Sequence, residues 1–138
     1  MEARKFRDSF AFYTRAAQVE KVMKKFSGER IPCFVSRRDD SIAPITKSKF
    51  LVDRNLSISQ FTAVVRNQLD ALPPTDAVFI LLEKDNTMPQ GTHRLSYYYH
   101  THKDEDGFLY FIFTAEATFG GERLSLGIDF SKRKSQLY

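Results

Sequence analysis

Apolar residues recur along the chain in blocks whose period changes, and those changes mark its elements. Val19, Val22, Met23 and Phe26 fall at i, i+3, i+4 and i+7, while Glu20, Lys21, Lys24 and Lys25 lie largely on the other side. This spacing predicts an amphipathic helix from about Phe12 to Phe26, closed by Gly28 as a C-terminal glycine closes a helix. Phe6, Phe10 and Phe12 precede it and are expected to form a shorter helical turn. Two strand-like runs follow, Ile31–Arg37 and Lys49–Arg54, separated by the polar link at 38–41 and by Pro44.

Ser57-Ile58-Ser59-Gln60 has the form of a capping box, with Leu56 and Phe61 spaced as its hydrophobic staple. Phe61, Val64, Val65 and Leu69 carry the apolar face on to the Pro73-Pro74 stop. Ala77–Leu82 and Phe108–Thr114 show no alternation, as expected of strands buried on both faces. His93–Tyr99 is ambiguous and is compatible with a short helix, and residues 104–107 form a turn. The order is a helix followed by β-β-α-β-β, the order of the ubiquitin-like β-grasp, an α+β fold. Glu122–Tyr138, beyond Gly120-Gly121, has no strong period and reads as an appendage. The organisation predicted is an N-terminal helical extension (1–28), a β-grasp core (29–120) and a C-terminal propeptide or tail (121–138).

Composition fits one domain: the 138 residues are 42% apolar and 28% charged, with 13 phenylalanines and no tryptophan. No apolar run is long enough to cross a bilayer, and the first residues lack a secretory signal, so a cytosolic or nuclear protein is expected. Residues 1–38 hold ten Lys/Arg against four Asp/Glu, a net of +6, whereas residues 39–120 hold seven against eleven, a net of −4. A basic arm on an acidic body suits an anionic membrane or acidic peptides. A basic solvated helix face is the plainer account of the same charges.

Three chemistries compete for the remaining residues. Cys33 with His93, His100 or His102 would make a thiol nucleophile and base, but Cys33 sits in an apolar strand run, where a thiol behaves as a small hydrophobe. With one cysteine there is no internal disulfide. His100-Thr101-His102 would offer two imidazoles on one strand face to a metal, without an obvious third ligand, so no metal and no cofactor are expected. Nucleic-acid binding is not expected either, because the aromatics are not interleaved with arginines as a stacking platform requires.

His102-Lys103-Asp104-Glu105-Asp106-Gly107-Phe108-Leu109-Tyr110 closely resembles a stretch of the autophagy ubiquitin-like modifiers, the GABARAP-type family. Lys47–Val52, Arg30-Ile31-Pro32, Leu56–Phe61 and Thr118-Phe119-Gly120 match the same family in order and spacing, so the resemblance runs from about Phe6 to Gly120. It implies a protein that is itself the substrate of a cascade, not an enzyme. A processing cysteine protease would cut between Gly120 and Gly121, with Phe119 in the recognised segment. E1-like and E2-like enzymes would then carry the new carboxylate to phosphatidylethanolamine, placing the protein in the cytoplasm and, once lipidated, on autophagosomal membranes. Glycine lacks a Cβ and suits a narrow enzyme channel.

The resemblance also implies docking of aromatic-x-x-aliphatic peptides, as carried by cargo receptors, on an edge strand at 49–52. One pocket would be lined by Val22, Pro32, Phe34, Lys49, Leu51 and Phe108, and the other by Phe50, Val52, Leu56, Phe61 and Val64. Gln18 and Arg30 would border the first. The sequence departs from the family pattern at Gln18, where an acidic residue is usual, at Asp53, where a proline is usual, and at Gln68, where an arginine is usual. An alternative within the same fold is a peptide-binding scaffold that keeps its tail and is never lipidated.

Overall fold

The computed structural model describes residues 2–39, 42, 44–69, 77–115, 118, 119, 122 and 123. Its elements in chain order are α1 (Ala3–Ser9), α2 (Phe12–Lys25), β1 (Arg30–Arg37), β2 (Lys49–Asp53), α3 (Ile58–Arg66), β3 (Phe79–Leu82), α4 (Leu95–His102) and β4 (Leu109–Thr114). Two short pieces, β5 (Thr118–Phe119) and β6 (Glu122–Arg123), pair antiparallel. The Pro73-Pro74 stop, Gly120-Gly121 and most of the predicted tail lie outside the described residues.

The main sheet has the order β2-β1-β4-β3. β1 and β4 run parallel at its centre, and β2 and β3 join them antiparallel at the edges. With α3 packed across one face, this is the topology expected from the helix-β-β-α-β-β order. The sequence-predicted capping box is present: the Gln60 N–H donates to Ser57 Oγ (3.1 Å) and the Ser57 N–H to Gln60 Oε1 (2.9 Å). At the end of α2, Ser27 (φ 53°) and Gly28 (φ 74°) turn the chain, and the Gly28 N–H returns to the Met23 carbonyl (3.1 Å).

Successive side chains of a strand point to opposite faces, and here the two faces build two cores. Ile31, Cys33 and Val35 of β1, with Leu109, Phe111 and Phe113 of β4, pack with Phe61 and Val65 of α3 and with Leu95, Tyr98 and Tyr99 of α4. Phe34 of β1 and Tyr110 of β4, with Phe108 just ahead of that strand, pack instead with Ala3 and Phe6 of α1 and Val19 of α2. The sheet is thus sandwiched, and the N-terminal helices cover the face that α3 and α4 leave free.

α2 is pinned to the turn before β4. Arg15 Nε donates to Asp106 Oδ2 (2.9 Å), and the Arg15 guanidinium also reaches the Phe10 and Arg7 carbonyls (2.6 and 3.1 Å). Asp106 accepts in addition from the Phe108 N–H (2.8 Å) and the Tyr110 hydroxyl (2.6 Å), so the buried carboxylate is fully partnered. Gly107 follows at φ +93°, and a Cβ there would stand 2.6 Å from Val19 Cγ1. No L side chain fits that position at this backbone angle.

Candidate functional site, a two-faced strand edge

β2 lies at the rim of the sheet, and no described strand pairs with its outer side. Its register against β1 decides which backbone groups remain open. The Val35 N–H bonds the Ser48 carbonyl (2.9 Å) and the Arg54 N–H bonds the Glu29 carbonyl (3.0 Å). In an antiparallel pair bonded and non-bonded positions alternate. Phe50 opposite Cys33 and Val52 opposite Ile31 are therefore spent on β1. Lys49, Leu51 and Asp53 direct their N–H and C=O groups outward. Pro32, which has no N–H to give, stands opposite Leu51 at a position not bonded to β2, and on its other side it precedes Cys33–Leu109, the first β1–β4 pair, so a proline is tolerated here.

The side chains of β2 alternate as its backbone does, with Phe50 and Val52 buried, Leu51 half-buried, and Lys49 and Asp53 exposed. Phe50 turns to the α3 side, where its ring meets Phe61 edge-on at 5.7 Å. Lys49 turns to the α2 side, where its Nζ donates to Gln18 Oε1 (3.3 Å). Residues predicted to line the two pockets thus fall on opposite faces of one strand. Val22, Leu51 and Lys49 stand on the α2 side above buried Pro32, Phe34 and Phe108. Leu56 and the exposed Val64 stand on the α3 side above buried Phe50, Val52 and Phe61.

Phe34, Phe61 and Phe108 are 1%, 0% and 4% exposed, so they lie beneath the surface at this edge and do not themselves form it. Phe34 is sealed by Phe6, which stacks on it at 4.6 Å (19° between planes) and meets Phe108 edge-on at 5.4 Å. Lys49 Nζ lies over the Phe6 ring (4.9 Å) and within 5.9 Å of the Phe10 centroid, close enough for cation–π attraction. Phe6 and Phe10 are site residues that sequence reasoning passed over, although their i, i+4 spacing in a short helix marked them as a pair. Arg30 lies at the far end of the groove, its guanidinium over Phe26 (5.2 Å).

Around this edge the cations outnumber their carboxylate partners. Among the described residues no carboxylate pairs with Lys49, Lys47 or Arg30, whereas Glu20 is taken by Lys24 (3.2 Å). An extended acidic segment would meet open hydrogen bonds and unpaired charge together.

Other candidate residues are placed differently. Cys33 is fully buried on the α3 side, and burial pushes its thiol far above the ordinary range, so little of the nucleophilic thiolate forms. His100 and His102 lie on α4 and not on a strand, and two residues apart on a helix is about 200° around its axis, which separates the imidazoles. His102 instead meets Asp85 through Nε2 (2.8 Å) and the Thr101 hydroxyl through Nδ1 (2.7 Å). Among the described residues no three His, Cys, Asp or Glu side chains converge as a metal site would, and no helix is long and apolar enough to span a membrane. Gly120 and Gly121 lie outside the described residues, and Phe119 is described through its backbone in β5.

The family model described as "Autophagy protein Atg8 ubiquitin like" matches residues 14–120. The autophagy-related protein 8 of Colletotrichum lindemuthianum is 41% identical over 118 residues, 85% of this chain and 94% of that protein. That of Neurospora crassa is 40% identical over 117 residues, 84% and 93% of the two chains. The crystal structure of Trypanosoma brucei ATG8 superposes with a TM-score of 0.74 at 31% identity, covering 84% of this chain and 97% of that one. Plasmodium falciparum Atg8, solved with a Plasmodium falciparum Atg3 peptide, shares the fold with a TM-score of 0.71 at 24% identity, covering 83% and 98% of the two chains.

Proposed function

The chain belongs to the Atg8 family of autophagy ubiquitin-like proteins, and from that membership we propose that it is a lipid-conjugated modifier. It acts by presenting a strand-edge groove to peptides on autophagosomal membranes. It performs no chemistry of its own. A cysteine protease cuts the bond after Gly120, and the new carboxylate is adenylated by an E1-like enzyme. It then passes through thioesters on the E1-like and E2-like enzymes and ends as an amide on phosphatidylethanolamine. A free carboxylate is a poor acylating agent, and each activating group comes from a partner. The match of the family model up to residue 120 supports Gly120 as the processed end. The Atg3 peptide bound to the Plasmodium relative supports an Atg3-type enzyme as one partner.

The observation that carries the docking reading is the two-faced edge. A peptide added to β2 sends alternate side chains to opposite faces, and an aromatic-x-x-aliphatic motif spaces its anchors by three, an odd number. One anchor therefore reaches the Val22–Leu51–Lys49 side while the other reaches the Leu56–Val64 side. Both residue sets serve one peptide because they lie on opposite faces of β2, and the acidic residues flanking such motifs meet Lys49.

The test is intact mass after expression in autophagy-competent eukaryotic cells, beside a Gly120→Ala control. Loss of residues 121–138, with an added phosphatidylethanolamine mass under starvation and a whole control, is the expected result. Full-length mass in both, with no membrane-bound form, removes lipidation and leaves a peptide-binding scaffold.

A further inference from the structure

The groove does not end at Lys49. Along β2 from Asp53 to Lys49, the neighbouring α2 is followed in the same sense, from its C-terminal end toward its N-terminus. Asp53 stands opposite Arg30, whose guanidinium lies over Phe26 at the end of α2, while Lys49 bonds Gln18 well inside that helix. The next turns beyond Gln18 lead to Ala17, Thr14 and Tyr13. These residues, with Gln18 and Lys21, line a wide-open, largely apolar shelf along α2. Tyr13 is 84% exposed on its rim, and its ring meets that of Phe12 edge-on with centroids 6.0 Å apart. Tyr13, Ala17 and Lys21 follow each other at i+4 and so share one stripe of the helix. Gln18 belongs to both the shelf and the first pocket.

The geometry points to a third docking position: the Tyr13–Ala17 shelf takes a hydrophobic side chain that lies upstream of the aromatic anchor in the same peptide. This rests on the groove reading above. With the aromatic anchor on the Lys49 side and the aliphatic one toward Leu56, upstream residues must leave past Lys49 and over α2. A span of five helical residues is about 7.5 Å, which an extended peptide covers in roughly two to three residues. Lys21 and Lys49, neither paired with a carboxylate among the described residues, flank that path. The occupant is therefore an acidic stretch carrying one apolar residue about three positions before the aromatic.

The chain has no tryptophan, so a tryptophan in the peptide reports its own binding by fluorescence. Two synthetic peptides serve, each with two aspartates before a Trp-x-x-Leu core, one with leucine and one with serine three positions before the tryptophan. The leucine peptide is expected to bind about fivefold to tenfold more tightly to the full chain. Tyr13→Ser should cancel that advantage while leaving the serine peptide unchanged. Equal affinities of the two peptides for the unaltered chain overturn the shelf, as does a Tyr13→Ser loss shared equally by both. If neither peptide binds, the groove reading falls and the shelf falls with it. A concentration-dependent dimer in sedimentation that Tyr13→Ser dissolves, with peptide affinities unmoved, assigns the stripe to a second copy and also overturns the proposal.

Discussion

Arg15 of α2 and Asp106 of the turn before β4 meet at 2.9 Å, with the arginine side chain 11% exposed and the carboxylate 0%. This pair fastens the helical extension to the sheet. Removing one member of a buried ion pair leaves the other charged and unpartnered, which is costlier than removing both. Arg15→Ala is expected to lower the unfolding free energy by about 3 kcal/mol. Asp106→Asn in the Arg15→Ala background should cost much less than Asp106→Asn alone. A double-mutant cycle by urea unfolding measures the difference.

Leu51→Pro separates folding from docking. The Leu51 N–H faces the open edge and makes no bond to β1, so proline is tolerated there as it is on other edge strands. Stability should fall by no more than about 1 kcal/mol, part of it from the smaller side chain. Peptide affinity should fall at least tenfold, because a strand-addition hydrogen bond is lost. Calorimetric melting together with peptide titration checks both halves.

Gly107→Ala should be among the most damaging single-atom additions in the chain. It places a methyl 2.6 Å from Val19 Cγ1 and forces a side chain to φ +93°. Together these should cost about 3 kcal/mol. Adding Val19→Ala relieves the collision but not the backbone strain, so partial rescue is the expected outcome of thermal unfolding.

Alkaline pH should destabilise the protein through Cys33 and, from about pH 10 upward, through its tyrosines as well. Burial, with smaller contributions from Cys33 and Asp106, pushes the Tyr99 phenol up to about 12, and burial also raises Tyr110, whose hydroxyl donates to Asp106. An unfolded tyrosine ionises near pH 10. Between about pH 10 and 12 the unfolded state therefore holds fewer protons, and stability falls as pH rises. The tyrosine contribution is fully present below about pH 10. Tyr99→Phe should flatten that decline, read as the urea midpoint against pH.

In the folded protein Cys33 should resist alkylation, since its sulfur is wholly buried and its thiol pKa is raised. Denaturant should restore ordinary reactivity, which a timed iodoacetamide mass shift records. Rapid labelling without denaturant would contradict the packing of β1 against α3.

Local signals were legible wherever one short stretch carries them. Ser57 and Gln60 announce their capping box, and the unbroken apolar runs at β3 and β4 announce strands buried on both sides. α4 was ambiguous because its buried positions, Leu95, Tyr98 and Tyr99, show the i, i+3, i+4 pattern only when tyrosine counts as apolar. Tyr98 and Tyr99 do so by sending their hydroxyls to polar partners, Tyr99 to the Gly107 carbonyl at 2.7 Å. The pocket residues came from resemblance, and their division between faces followed only from the β1–β2 register. Phe6 and Phe10 could not be assigned to the site from periodicity, because Phe34 and Lys49 reach them from distant strands.

The seat of Phe6 has a consequence for how the molecule is made. Its two walls, Phe34 of β1 and Phe108 just ahead of β4, are far apart in the chain. During synthesis α1 emerges before β1 and well before β4, so its complete seat exists only once β4 has emerged and paired with β1. Contacts of such long range close slowly. α1 is therefore made long before its seat is complete, and until then Phe6 is open to chaperones.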